Sequence, residues 1–422
     1  MKQDLYFDFR DVFRIPRVAL SGKKIWTHFI ANVIGYIGFV IFSYIGILSS
    51  GYSFGGAFAE YHFFPFPYDV GLSTLGWIFY LIGGLVWVLA YYFANLAVAR
   101  VTYKEFKGDF FYSSGDGWRF VKKHWHPLIF APIAIVGIIV FFLVMAVIAA
   151  LLGKIPYVGE FIFSLPYLLY FPVAVFVLYS AVVFVIVITF TPAIVGTSEE
   201  DTLEAVFQSY SLLWAQPWRL VTYEVIWSVL GTIAAYIFGI VMAAGVWFIS
   251  FVFGMNWLMG DKLYRMIESA FYYLGGDSAV YHQFLNLFSS PFVQSGYIYM
   301  GGAEINVTEA IGAGLLALAF FVIMAVIVSY INALDSVGQT MIYLILRKKK
   351  DDENLLERKD EDELAEEAED EEFDVDEDLD LDLDEDDEED DIEGDFSDLD
   401  TDGSDEESTD ETGFEGDEED KN

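Results

Sequence analysis

The stretch AIVGIIVFFLVMAVIAALL, residues 134–152, decides the fold, because it carries no charged or polar side chain over a length that matches a bilayer. A hydrocarbon core about 30 Å thick is crossed by roughly 20 helical residues rising about 1.5 Å each. The run has no period-2 alternation, which argues against a membrane β-barrel. A helix satisfies its own amides in lipid, so a spanning helix is the natural reading. Working outward, five more apolar runs lack Asp, Glu, Lys and Arg. The six spans are expected at about 26–49, 72–97, 128–151, 172–193, 225–250 and 311–333. A further charge-free run, 278–303, holds His282, Gln283, Asn286, Pro291, Gln294 and four serines, and is too polar to span.

Charge divides the 422-residue chain in two. Residues 351–422 carry 43 Asp/Glu against three Lys/Arg, while residues 1–350 are neutral with 20 of each sign. The sequence therefore organises as an amphipathic amino-terminal segment (1–24), a six-helix membrane domain (25–346), a basic cluster (347–350) and an acidic tail (351–422). Seventeen Lys/Arg flank the spans on the side of the termini and three (Lys154, Lys262, Arg265) lie on the other. The positive-inside rule then puts both termini in the cytoplasm. Residues 1–24 mix Arg and Asp among apolar positions and do not read as a cleavable signal peptide. With no cysteine, disulfides, thiolate zinc sites and thiol chemistry are excluded. No clustered basic face offers itself to nucleic acid.

Three stretches on the basic side combine apolar residues at helical spacing with charge: Leu5/Phe9/Val12/Phe13, Trp118/Val121/Trp125 and Leu203/Val206/Phe207/Tyr210/Trp214. They read either as interfacial helices opening three hairpins or as ordinary juxtamembrane amphipathicity. The fourth run contains Pro166, Pro172 and Pro192, and a half-helix at 161–171 leading into a span from Pro172 is expected. Residues 51–70 should hug the interface. The outer region 255–309, with a short helix at Asp261–Leu274, is either an external contact surface or a cap over the bundle.

Candidate polar groups are few. Glu224, at the start of the fifth span and five residues after Arg219, is either an interface anchor paired with that arginine or a functional carboxylate. Ser329, Asn332, Asp335 or Ser336, and Gln339 form a stripe at the end of the last span. That stripe either lines a vestibule or hydrogen-bonds neighbouring helices. His124 and His126 point apart on a helix and lack a third ligand, and His28, His62 and His282 read as isolated, so neither a metal nor another cofactor is expected. Serine-elbow, phosphate-loop and HExxH motifs are absent. Gly51/Gly55 and Gly35/Gly38 give no dimer signal, and Asn306-Val-Thr308 is a weak glycosylation match.

The tail cannot bury enough apolar surface to offset the entropy of ordering and is expected to be disordered. Its charge attracts basic proteins or divalent cations, and FDVDEDLDLDLD (373–384) is the segment most suited to adding as a strand. Membrane lipids are the other expected partners.

The stretches ARVTYKEFKGDFFYSSGDGWRFVKKHWHPLIFAPI (99–133), IPYVG (155–159), TPAIVGTSEEDTLEAVFQSYSLLWAQPWRLVTYEV (191–225) and TMIYLILRKKKDDE (340–353) resemble an uncharacterised family of bacterial six-span integral membrane proteins. The resemblance is carried by Ser209, Tyr210, Ser211 and Trp214 running into Pro217–Trp218, and by Ile342 to Arg347, with Ile345 a departure. It implies a bacterial cytoplasmic (inner) membrane and no particular activity.

The expected molecule is thus an all-α, multi-pass membrane protein with six transmembrane helices, interfacial helices and an acidic tail. The function favoured by sequence is non-enzymatic scaffold or accessory work, with the tail contacting basic partners. The alternatives are a permease or channel for a small solute and a membrane-embedded lipid-modifying enzyme. Convergence of Glu224, the 329–339 stripe and the proline-broken segment on one cavity would favour the permease.

Overall fold

A computed structural model describes residues 5–66, 71–275, 305–360 and 363–364. The expected non-spanning run 278–303 and the tail beyond 364 lie outside the described residues. The described chain is all α, and six helices are long and apolar enough to cross a membrane. They are α3 (Gly22–Ser49), α5 (Thr74–Lys107), α7 (His126–Gly153), α9 (Tyr167–Ser198), α11 (Pro217–Phe253) and α13 (Val307–Asp351). Between them lie α1 (Phe9–Val12), α2 (Ile15–Ala19), α4 (Phe54–Tyr61), α6 (Ser114–His124), α8 (Gly159–Ser164), α10 (Thr202–Ala215) and α12 (Asp261–Gly275).

Composition decides which faces are buried. On α7 and α11 large apolar side chains such as Phe141, Leu151, Val229 and Phe248 are exposed, as a helix turned to lipid requires. The principal core sits at the basic end. There α5, α9 and α13 overrun the expected spans, and Phe106, Ile194, Leu344 and Ile345 bury together with Val12 and Ile15 from α1 and α2. The tightest pair is α3 with α5. Gly46 and Gly76 permit that approach, since a Cβ on Gly46 would stand 2.7 Å from the Gly76 carbonyl oxygen.

Several expectations change. The fourth run breaks at Leu165–Pro166, after the short α8, and α9 continues through Pro172 and Pro192. Pro172 is the sixth residue of α9, so the helix passes through it without the amide bond to the Leu168 carbonyl. The amphipathic stripes are split rather than single. On α10, Ala205, Ser209 and Leu212 face the bundle while Leu203, Phe207 and Trp214 face outward. In the first stripe Val12 is buried while Phe9 and Phe13 are exposed. Residues 62–66 of the first outer loop reach into the bundle instead of skirting it, the hydroxyls of Tyr36 and Tyr44 donating to the carbonyls of Phe63 and His62. His62 also packs its ring 5.1 Å from Tyr272 of α12. Within the outer region, α12 runs along the start of α13, with Arg265 Nη2 3.2 Å from Glu309 Oε1 and the Phe271 and Phe320 rings stacked at 4.9 Å.

The last difference concerns the tail's boundary. Residues 352–360 fold back onto the basic end: Leu355 is buried and its carbonyl accepts from the Tyr103 hydroxyl at 2.8 Å. The body thus ends near residue 360, not at 350.

Candidate functional site

Helix α3 places Lys24, His28, Asn32 and Tyr36 four residues apart, so they stack on one face, and all four are buried. Opposite them the stripe on α13 supplies partners. Ser336 Oγ donates to Asn95 Oδ1 of α5 at 2.8 Å and lies 2.8 Å from His28 Nε2. With the hydroxyl proton directed to Asn95, His28 donates through Nε2. One turn further from the basic end, Asn32 Nδ2 donates to Ser329 Oγ and Asn332 Nδ2 donates to Asn32 Oδ1, each at 3.1 Å. Lys24 ends the row in an ion pair with Glu105 at 2.9 Å.

The two carboxylates nearby are each held by one side chain. Tyr91 Oη donates to Asp335 Oδ2 at 2.6 Å, and Gln339 Nε2 donates to Glu224 Oε2 at 3.4 Å. Arg219 is exposed and forms no part of this group. Glu224 Oε1 and Gln339 Oε1 are buried without a protein partner, and a proton on the carboxyl would turn one of these acceptors into a donor.

Beyond Asn32, away from the basic end, lies a cavity of about 200 Å³. Its walls are Tyr36, Trp87, Phe321, Met324 and Val328, with Phe64 and Phe66 of the first outer loop. The Tyr36 hydroxyl is engaged by the Phe63 carbonyl, leaving the Asn32 amide as the polar group at the cavity end that meets the ladder. A space of this size is comparable to an apolar cavity of about 150 Å³ that stays dry and binds benzene.

The structure therefore brings together Glu224, Asn332, Asp335 and Gln339 and leaves out Arg219. The proline-broken fourth segment does not line the cavity. Sequence reasoning missed His28, Asn32, Tyr91 and Asn95, having read His28 as isolated. The signal lay in the four-residue spacing Lys24–His28–Asn32–Tyr36 inside an apolar helix.

A second charged group closes the basic end. Arg100 of α5, fully buried, pairs with Glu199 at 2.7 Å and Asp360 at 3.3 Å. Beside it, burial pushes the Glu200 carboxyl above the ordinary carboxylate range against the pull of Arg358. No family model, curated protein or solved structure matches the chain.

Proposed function

We propose that the protein is a proton-coupled permease for a small, largely apolar solute, seated in a bacterial cytoplasmic membrane with its basic side inward. The observation that carries this reading is the placement of two hydrogen-bonded acids, Asp335 with Tyr91 and Glu224 with Gln339, beside the His28–Ser336–Asn95 group. Interhelical packing needs serine and asparagine, but it does not need two carboxylates, which are expensive at membrane depth and mark proton or ion paths. The ladder ends on the Asn32 amide at the cavity wall, so a solute there lies against the same helix α13 that carries Asp335 and Gln339. The bacterial membrane rests on the family resemblance, and the orientation on the seventeen-to-three excess of Lys/Arg.

A second reading, scaffold work by the acidic tail, is supported by the docking of Leu355 and Asp360, which fixes where the tail leaves the membrane domain.

The permease is tested in liposomes holding a trapped pH dye, with an imposed potassium diffusion potential and a panel of small aromatic alcohols and amides. Solute-dependent proton entry is expected, falling at least tenfold in Glu224→Gln and Asp335→Asn, with solute preference altered in Asn32→Leu. Wild-type liposomes without such entry, or entry unchanged in both carboxamide variants, would end the proposal.

A further inference from the structure

The cavity beyond Asn32 is walled by two kinds of chain. Most of its lining stands on the long helices α3, α5 and α13, whereas Phe64 and Phe66 come from a segment outside any helix. Backbone bonds within that segment are local. Phe64 N–H donates to the Tyr61 carbonyl and Phe66 N–H to the Phe64 carbonyl, both at 2.8 Å. Side chains tie it to the bundle. The Tyr36 hydroxyl donates to the Phe63 carbonyl and the Tyr44 hydroxyl to the His62 carbonyl. Phe66 lies 5.3 Å from the Phe39 ring and Phe64 5.8 Å from the Tyr36 ring.

We propose that residues 62–66 are the gate of this cavity, latched by the Tyr36 and Tyr44 hydroxyls and released when a solute displaces Tyr36. Tyr36 carries the argument because it serves both sides. Its ring is a wall of the cavity and its hydroxyl holds the Phe63 carbonyl. A solute that pushes the ring aside carries the hydroxyl off that carbonyl, so occupancy and latch compete at one side chain. Tyr44 does not line the cavity, so it acts as latch alone.

The segment is built to move as one piece about one end. His62 caps α4 with φ +45° and ψ −116°, a backbone conformation that a side chain disfavours and that persists where its surroundings hold it. Pro65 fixes its own φ, which stiffens the stretch beyond that hinge. Release is cheap because Phe63 is exposed, so water can reach the carbonyls that the tyrosines let go. A hydroxyl–carbonyl bond replaced by water gives up little, and two such bonds hold a gate without sealing it. The purpose of the gate rests on the permease reading, but its test does not.

The chain has no cysteine, so Met324→Cys places a single thiol in the cavity wall. Its reaction with an impermeant methanethiosulfonate is timed in sealed vesicles, with reagent on the face that labels Tyr157→Cys. Tyr36→Phe/Tyr44→Phe keeps both rings and is expected to speed the reaction about tenfold, the worth of two hydrogen bonds. Tyr44→Phe alone, a milder change, is expected to speed it about threefold. Tyr92→Phe, which removes a hydroxyl bonded to the Val187 carbonyl elsewhere on α5, is expected to change nothing. Benzyl alcohol is expected to raise amide hydrogen exchange across residues 62–66 of the wild-type chain and to leave α6 unaltered. Access unchanged in both latch variants, a gain equalled by Tyr92→Phe, or exchange at 62–66 indifferent to benzyl alcohol would each overturn the gate. Faster access without solute-dependent proton entry would keep the gate and remove the permease, and proton entry with unchanged access would do the reverse.

Discussion

The contact between α11 and α13 turns on Gly338. Trp227 of α11 lays its indole flat against that glycine, and a Cβ added there would stand 2.6 Å from Cε2 and 2.9 Å from Cδ2 and Cζ2. Carbon atoms pack at about 3.5–4.0 Å, so a methyl group requires the ring to retreat by about 1 Å. Retreat is blocked on the ring's own helix, because Gly231 already approaches it so closely that a Cβ there would meet Cη2 at 2.7 Å. The ring is buried in the principal core. Gly338→Ala should therefore cost about 1–3 kcal/mol, the usual range for overpacking. The damage should reach the ladder too, because Gln339 is the next residue and its contact with Glu224 is already 3.4 Å long. The assay is equilibrium unfolding in mixed micelles of rising sodium dodecyl sulfate, followed by far-ultraviolet circular dichroism. Trp227→Ala alone should cost about 3–5 kcal/mol. In that background the added methyl has no ring to strike, so the second substitution should cost nothing or stabilise slightly, a strong coupling between neighbours. An unchanged midpoint for Gly338→Ala, or two costs that simply add, would refute this account of the interface.

Removing residues 365–422 should leave unfolding unchanged, whereas removing 352–422 should destabilise by several kcal/mol. The longer deletion takes away Leu355 and leaves the buried Arg100 without Asp360; equal stability of the two truncations in the same titration would count against the docked segment. The cap of α6 should weaken in acid. The Ser113 hydroxyl and amide hold the Asp116 carboxyl below its ordinary range, so its contribution is present above the unfolded value near 3.9 and lost as pH falls through the lower folded one. Ser113→Ala should cost about 1 kcal/mol at neutral pH and flatten that acid dependence, read from unfolding midpoints between pH 3 and 7. Because the chain has no cysteine, Phe111→Cys and Tyr157→Cys, both highly exposed, should react with an impermeant maleimide from opposite faces of a sealed vesicle. Labelling from one face would refute the threading.

The spans were legible because each is a local property: length and the absence of charge are written into twenty or so neighbouring letters. The ladder was only half legible for the opposite reason. Its members Asn32 and Asn332 are 300 positions apart, and His28 and Ser336 are 308 apart. The stripe on α13 could be seen as a stripe, but whether it meets headgroups or partners depends on which helices pack beside it. The spacing of Lys24, His28, Asn32 and Tyr36 was available, yet with an asparagine, a histidine and a tyrosine scattered through an apolar helix nothing distinguished one face until Ser329, Asn332 and Ser336 stood opposite it. The fourth run breaks at Pro166, the N-cap of α9, while Pro172 and Pro192 sit inside the helix, and three prolines in one run do not by their spacing name the one that breaks it.

The misplaced start of the tail has a sharper cause. Residues 351–360, DDENLLERKD, look like the first turn of an acidic tract when averaged with residues 361–422. Their net charge is modest, however, and they hold the adjacent pair Leu355–Leu356, which the tract proper does not repeat. One buried leucine is worth only about 1.5–3 kcal/mol, too little to order a segment of ten residues alone. The segment is held because the membrane domain presents Tyr103, Lys107, Lys104 and Arg100 along a single edge of α5, each with a partner in residues 355–360. Charge read from the tail alone gives repulsion and extension. Charge read against α5 gives an anchor, and the sign of the effect is set by a helix some 250 residues earlier.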